Sequence, residues 1–288
     1  MIVDWTNPEM LREIADAMLK AVDTEIENAN IEGYRSHLGA SVVGNECLRY
    51  LFYHFRWMHR ETHSGRMLRL FGVGHGLEIR VRSWLKKIGF QFIDGLDENG
   101  FQLKFSDLQG HFGGSVDGVF IAPSWGITEP TGLECKTTGT GSPFNDLDKK
   151  GMRQTKEQHF IQNSVYGRGL RFNNILYVCE NKNDSDWYFE LVPLDMNVAE
   201  DAYKKAQFVI FDAKEPPKKI SEKRNYYLCG MCKMQPICFD GVACDVNCRS
   251  CSYSRPIENA DWFCTFHNSI IPKDFIPKGC DHHAPIQK

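Results

Sequence analysis

Eight of the 11 cysteines lie between Cys229 and Cys280, and beyond Arg224 the apolar periodicity of helices and strands fades. A tail this short and this poor in apolar residues has little surface to bury, so it folds only around a staple. The amino-terminal MIVDWTNPEMLREIADAMLKAV carries acids where a signal peptide carries bases. No run approaches the ~20 apolar residues of a membrane span. The chain therefore reads as a cytoplasmic protein with no membrane association. In a reducing compartment, cysteines in C-x2-C pairs point to metal ligation rather than to disulfides.

The remainder has the composition of a soluble globular protein, 42% hydrophobic and 25% charged over 288 residues. That is enough chain for one large domain or a domain with an appendage. A net charge of -3 exerts no global pull on nucleic acid, so any such surface is a local basic patch. Helices are expected over residues 8–28, with Asn7 as N-cap before Pro8, and over 46–58, 67–88, 151–168 and 196–212. Strands are expected over 90–93, 101–105, 113–121, 132–138, 174–180 and 186–193. The turn-rich APSWGITEPT predicts a hairpin between the third and fourth of these. KEPPKK (214–219) reads as a linker or exposed turn, and no internal repeat is present. The pattern is α/β.

The chemistry gathers around GLECKTTG. On a strand, Glu134 and Lys136 project together and Cys135 points the other way. The hairpin brings Asp117 of GGSVDG near Glu134. Two carboxylates with open positions suit Mg²⁺ or Mn²⁺, which prefer oxygen ligands, and the Cys135 carbonyl offers another oxygen. Lys136 would orient a water bound there or help to deprotonate it. Taken alone, the same residues are better read as a solvated ion pair and two surface acids. Upstream, His75 and Glu78 share a helix face in GVGHGLEI. Downstream, Gln154, Gln158, Gln162 and Tyr166 recur every four residues, a stripe that would either hold phosphates and bases or line a solvated face.

G-x-x-D-G, then E-x-K, then a helix carrying Q-x3-Y resembles the RecB-like exonuclease branch of the PD-(D/E)XK nuclease superfamily, over roughly residues 41 to 240. The resemblance implies a mixed central β-sheet flanked by helices, a restriction-endonuclease-like core. It implies metal-dependent cleavage of DNA with His75, Asp117 and Glu134 as metal ligands and Lys136 as catalytic lysine. Gln158, Gln162, Tyr166 and Arg49 are then expected on the substrate, and Glu78 next to the metal ligands. Arg80, Lys149, Lys150, Arg153 and Lys156 are further candidates for phosphate contacts, and Trp125 would stack on a base or cap the hairpin.

CGMCKMQPIC supplies Cys229, Cys232 and Cys238, and three close thiolates need a fourth ligand, for which Cys47 is the distant candidate. Members of the same family carry a four-cysteine iron–sulfur clasp, with an upstream S-x5-C-x-R that Ser41, Cys47 and Arg49 match. The resemblance thus implies a [4Fe–4S] cluster on Cys47, Cys229, Cys232 and Cys238, with zinc on the same ligands as the alternative. Cys248, Cys251, Cys264 and Cys280 have the layout of a structural zinc site, with His267, His282 and His283 as alternative ligands. Cys244 fits neither set. The layout resembles, more loosely, the zinc-ribbon tails of some phage nucleases.

The expectation is therefore a nuclease over 1–240 and a zinc-binding tail over 241–288. It would be an exonuclease of replication, recombination or repair, working in the host cytoplasm if phage-encoded. DNA is its expected partner, beside a single-strand annealing, helicase or other recombination protein. The rivals are a non-catalytic DNA-binding module and a redox protein.

Overall fold

Asn7 caps the first helix, α1 (Pro8–Ala29), its side chain accepting from the amides of Glu9 and Met10. The computed structural model describes residues 4–30, 33–93, 102–139 and 141–286. Helix α1 is amphipathic yet buries none of its residues. It is held to α4 (Gly65–Lys87) by an Asp23–Arg69 ion pair and by Glu27, which accepts from the Gly65 amide at 2.6 Å. Between them lie a short strand β1 (Leu38–Gly39), a single turn α2 (Ala40–Val43) and the aromatic helix α3 (Leu48–Phe55). Leu51, Phe52, Tyr53 and Phe55 of α3 are buried, as its apolar run predicts.

Strands β2 (Gln91–Phe92) and β3 (Leu103–Asp107) follow; Phe101, the expected first residue of β3, lies outside the described residues. The segment 113–121 departs from its expectation. It forms two strands, β4 (Phe112–Val116) and β5 (Gly118–Ala122), that belong to different sheets. Asp117 is the single residue between them. Strand β5 then turns at 123–126 into the long β6 (Ile127–Thr138), the expected hairpin, with Gly118 opposite Leu133.

The expected helix over 151–168 is in fact two helices, α5 (Ser142–Thr155) and α6 (Glu157–Leu170). Gly151 breaks the first of them, at φ 73°, a conformation glycine adopts without strain. Strands β7 (Asn174–Asn181) and β8 (Trp187–Pro193) match expectation. Helix α7 (Met196–Gln207) ends in a π-helical turn to Asp212.

The main sheet runs β2-β5-β6-β7-β8, with β6 and β7 parallel and the other pairs antiparallel, so it is mixed. A second sheet runs β1-β4-β3. Helix α4 covers one face of the main sheet, packing Leu77, Val81 and Leu85 against Phe120, Leu133, Cys135, Leu176 and Val178. The larger core on the other side joins α3, α6 and α7 to β4 and β7. Burial of so many aromatic and aliphatic side chains, at ~25 cal/mol per Å², dominates the stabilisation.

The tail follows two short helices, α8 (Tyr227–Gly230) and α9 (Gln235–Phe239). It makes a three-stranded sheet of β9 (Ser254–Pro256), β10 (Trp262–Cys264) and β11 (Ser269–Ile271). Its Trp262, Ile271, Ile276 and Ile286 belong to the same apolar cluster as Phe52, Phe55 and Phe112 of the preceding part. Among the described residues no helix is long and apolar enough to cross a membrane.

Candidate active site

Asp117 is pinned where the chain passes from one sheet to the other. Its Oδ2 accepts from the Cys135 amide at 2.7 Å, and its carbonyl accepts from Arg82 Nη1 at 2.7 Å. Glycine is required next to it, because a Cβ on Gly118 would stand 2.5 Å from Arg82 Nη1 and 2.9 Å from the Phe92 ring. The strand alternation of β6 turns Glu134 and Lys136 to the α6 side while Cys135 packs under α4. Lys136 Nζ donates to Glu134 Oε1 in a close ion pair, and Gln162 Nε2 donates to the same oxygen at 3.0 Å. Glu134 is 2% exposed, and its Oε2 is buried with no hydrogen-bond partner.

Glu78 reaches the site from α4. Gln102 Nε2 bridges it to Asp117, at 3.0 Å from Glu78 Oε2 and 3.4 Å from Asp117 Oδ1. Burial, then the charges of Glu134 and Glu78, push the Asp117 carboxyl well above the usual range. Burial likewise raises Glu78, with His75 opposing and Glu134 adding to the rise. Burial alone would depress the Lys136 ammonium, but Glu134 and Asp117 outweigh it and hold the lysine above its ordinary value. As it stands, Lys136 is thus a fixed cation, suited to orienting a water or a phosphate and not to removing a proton.

Three carboxylates face one ammonium, so the site carries surplus negative charge. Among the described residues no three His, Cys, Asp or Glu are gathered closely enough to hold a metal ion as they stand. The donor chemistry nevertheless fits a hard divalent cation, because the unpartnered Glu134 Oε2 and the mutually repelling Asp117 and Glu78 leave open oxygens. His75 is close enough for its charge to act on Glu78.

Gln162 and Tyr166 are placed otherwise than expected. Both are buried, and Gln162 Nε2, besides holding Glu134, donates to Tyr166 Oη at 2.7 Å. They brace a carboxylate instead of facing a DNA strand. Gln158 is exposed on α6. Arg49 lies elsewhere: its Nε donates to the Pro217 carbonyl at 2.5 Å, and its guanidinium lies over Tyr53. Lys150 and Arg153 pair with Asp146 and Asp195, and Arg80 with the buried Glu180 at 2.5 Å. Trp125 is exposed at the hairpin tip and donates to the Ile88 carbonyl at 3.0 Å.

Gln102 and His159 stand at the site without having carried a signal in the sequence. Register sets Tyr177 opposite Glu134 and Cys179 opposite Lys136, and His159 Nδ1 lies 2.9 Å from Tyr177 Oη. Burial first, then Lys136 and Lys156, lower the His159 imidazole to about 3. It is therefore a neutral hydrogen-bonding group near Lys136. It sits three residues before Gln162, on the same helix face, a relation that spacing shows only once Gln162 is known to point inward.

No cysteine is in a disulfide. Cys47, Cys229, Cys232 and Cys238 line one cavity of about 290 Å³ together with Arg49 and Lys219. Burial, with the charge of Cys47 contributing, raises Cys229, Cys232 and Cys238. Cys248, Cys251, Cys264 and Cys280 line a second cavity, of about 130 Å³, beside His267, His282 and His283. Burial and the other three thiols push Cys248 up to about 11. His283 Nε2 is engaged at 2.9 Å by Ser250 Oγ, and Cys280 Sγ stands 3.9 Å from His267 Nε2. Thiols of this kind are the donors a thiophilic metal takes, but as they stand neither set is gathered closely enough to hold one.

No family model matches the chain, and no curated protein matches it. Among solved structures it is similar to SSO0001, with a TM-score of 0.42 and 14% identity over 80% of this chain and 98% of that one. It is also similar to the alkaline exonuclease LHK-Exo of Laribacter hongkongensis, with a TM-score of 0.44 and 14% identity over 65% of this chain and 90% of that one. The complex of LHK-Exo with dAMP gives a TM-score of 0.43 at 13% identity, over 60% of this chain and 86% of that one. At such scores a likeness carries nothing about this chain's chemistry, which rests on its own side chains.

Proposed function

We propose that the chain is a Mg²⁺- or Mn²⁺-dependent deoxyribonuclease that works on DNA ends as an exonuclease. The observation that carries this is the buried, half-unpartnered Glu134 tied to Lys136, at the point where Asp117 and Glu78 also converge. Asp117, Glu134, His75 and the Cys135 carbonyl would hold the cation. When bound, it lowers the pKa of a water and offsets charge developing on a phosphate.

The chain's own residues do the rest. The Cys135 amide fixes Asp117, and Gln162, steadied by Tyr166, fixes Glu134. Lys136 aligns the attacking water by hydrogen bonding and stabilises the added negative charge of the phosphate. The water oxygen bonds to phosphorus as one P–O bond of the backbone breaks. The water gives up a proton to solvent and the leaving oxygen takes one up from solvent, so that the sum is the addition of one water across the bond. The first cysteine set would hold a [4Fe–4S] cluster or zinc, and the second set zinc.

The test compares wild type with Lys136→Ala on end-labelled linear DNA, single- and double-stranded, beside a covalently closed circle. Wild type should degrade linear DNA only with Mg²⁺ or Mn²⁺ and spare the circle, and the variant should leave both intact. Cutting of the circle would make it an endonuclease, and cleavage by Lys136→Ala would remove the mechanism.

His159→Ala should lower kcat roughly 10–100-fold by loosening the wall beside Lys136, with KM little changed. Because the imidazole titrates near 3, the wild-type pH–rate profile should show no limb from it between pH 5 and 8. A limb present in wild type and lost in His159→Ala would contradict this.

A further inference from the structure

Two arginines are buried where the tail meets α3, and neither has an acid. Arg249 is 1% exposed and Arg56 4%. Arg249 Nη1 donates to the carbonyls of Ser36, at 3.0 Å, and Arg35, at 3.4 Å. Its guanidinium carbon lies 4.3 Å from the Trp57 ring, 4.4 Å from Phe55 and 4.6 Å from Trp262. Arg56 Nη2 donates to the Cys251 carbonyl at 2.6 Å and to Ser254 Oγ at 3.2 Å, and its Nη1 donates to the Ser254 carbonyl at 3.3 Å. Arg56 Nε, Arg249 Nε and Arg249 Nη2 are buried without partners. Among the described residues no carboxylate forms an ion pair with either group.

Arginine stays charged in proteins, and a buried charge without a counter-charge is strongly unfavourable. Aromatic faces recover only part of that cost. Arg56 acts unfavourably on Arg249 and Arg255 acts unfavourably on Arg56, while the charge felt favourably by Arg56 is that of Cys251. Cys251 is one of the four cysteines around the tail cavity, and Arg249 lies between two of them in the chain. Four thiolates on one Zn²⁺ carry a net charge of two minus, which two guanidiniums balance.

We propose that Arg56 and Arg249 are the counter-charges of a metal–thiolate centre formed by Cys248, Cys251, Cys264 and Cys280, so that the cation bound in the tail locks the tail onto α3. This rests on the metal-binding reading of the tail and is independent of the nuclease chemistry. The two arginines come from opposite sides of the junction, one from the end of α3 and one from the C-x2-C turn, so each side alone is left with an unbalanced charge. Metal loss then leaves two bare cations in an aromatic pocket, and the junction opens.

The test uses the full-length protein with Zn²⁺ as the only probe, its affinity read by competition with a chromogenic chelator. Arg249→Met should bind Zn²⁺ roughly 10–100-fold more weakly, while Arg249→Lys, which keeps the charge, should stay within about threefold of wild type. Thermal unfolding with and without chelator should show metal removal costing wild type more than Arg249→Met. Wild-type affinity in Arg249→Met would overturn the proposal, as would equal losses in Met and Lys, which would mark a packing role. A wild-type tail that takes up no Zn²⁺ overturns it as well. If Arg249→Met does not fold, Arg56→Met carries the same expectation.

Discussion

Asp117→Asn is expected to abolish metal-dependent cleavage and yet to raise the melting temperature of the metal-free protein at pH 8. The carboxyl is raised above its unfolded value by burial and by the charges of Glu134 and Glu78. A raised carboxyl contributes its stabilisation fully below the unfolded value, near 4. That contribution is lost as pH climbs through the folded value, after which the ionised group is a net liability. Asparagine keeps the size, keeps an oxygen for the Cys135 amide and removes one of three crowded charges. A gain of a few degrees follows, at about 2–4 °C per kcal/mol. The same charge is what a divalent cation needs, so Mg²⁺ or Mn²⁺ should raise the melting temperature of wild type and leave that of the variant unmoved. Losing several kcal/mol of transition-state charge stabilisation corresponds to ~10³-fold or more in rate. Thermal shift and cleavage measured on the same preparations check all three. Undiminished cleavage, or a wild type whose melting point ignores the metal, would sink the assignment.

That site was legible in the sequence to the extent that it lies on one hairpin. Asp117, Glu134 and Lys136 are placed by strand alternation and a turn, both local, and the structure brings them together as expected. Local pattern could not show that the strand through Asp117 breaks. At the break, Arg82 of a distant helix holds the Asp117 carbonyl and fills the space a side chain at Gly118 would take. Glu78, Gln102 and His159 reach the site from helices and a loop whose seating on the sheet is a matter of tertiary packing. A four-residue period found Gln162 and Tyr166 but not their direction, since a polar stripe facing a buried carboxylate and one facing solvent have the same spacing. Arg49 is expected at the substrate although a lone basic residue near such motifs is more often a solvated surface charge; its partner in the structure, the Pro217 carbonyl, lies 168 positions away.

The tail shows the same division. Its cysteine spacing groups Cys248, Cys251, Cys264 and Cys280, and the structure places these four around one cavity. What it rests on was not legible. Trp262 and Arg249 read as ordinary tail residues until the aromatic helix α3 is laid against them. The extent of that shared core means that the tail and the part of the chain before it are mechanically one structure at α3.

Cys47→Ser should cost the protein the metal of its first cysteine set and on the order of 10 °C in melting temperature. Cys47 opens α3, its amide bonded to Asn45 Oδ1 at 2.8 Å, and faces Cys229, Cys232 and Cys238 across one cavity. Direct polar ties across this junction include Arg49 on the Pro216 and Pro217 carbonyls, and a Tyr227–Glu46 hydrogen bond at 3.3 Å that joins residues 181 positions apart. The last is exposed and holds little. A crosslink closing a loop of that length removes unfolded-state entropy worth up to about 5 kcal/mol, or ~10 °C at roughly 2 °C per kcal/mol. Arg49 and Lys219 beside the thiols lessen the cost of gathering their negative charge. The carboxylate site is built on β4 to β6 and α6, so at low temperature the variant should still cleave DNA, and its loss at 37 °C should follow unfolding. Metal analysis and the visible spectrum of both proteins decide between iron–sulfur and zinc, and limited proteolysis around residues 213–226 reports the opened junction. A variant with undiminished metal and melting temperature would show that these cysteines do not close the chain.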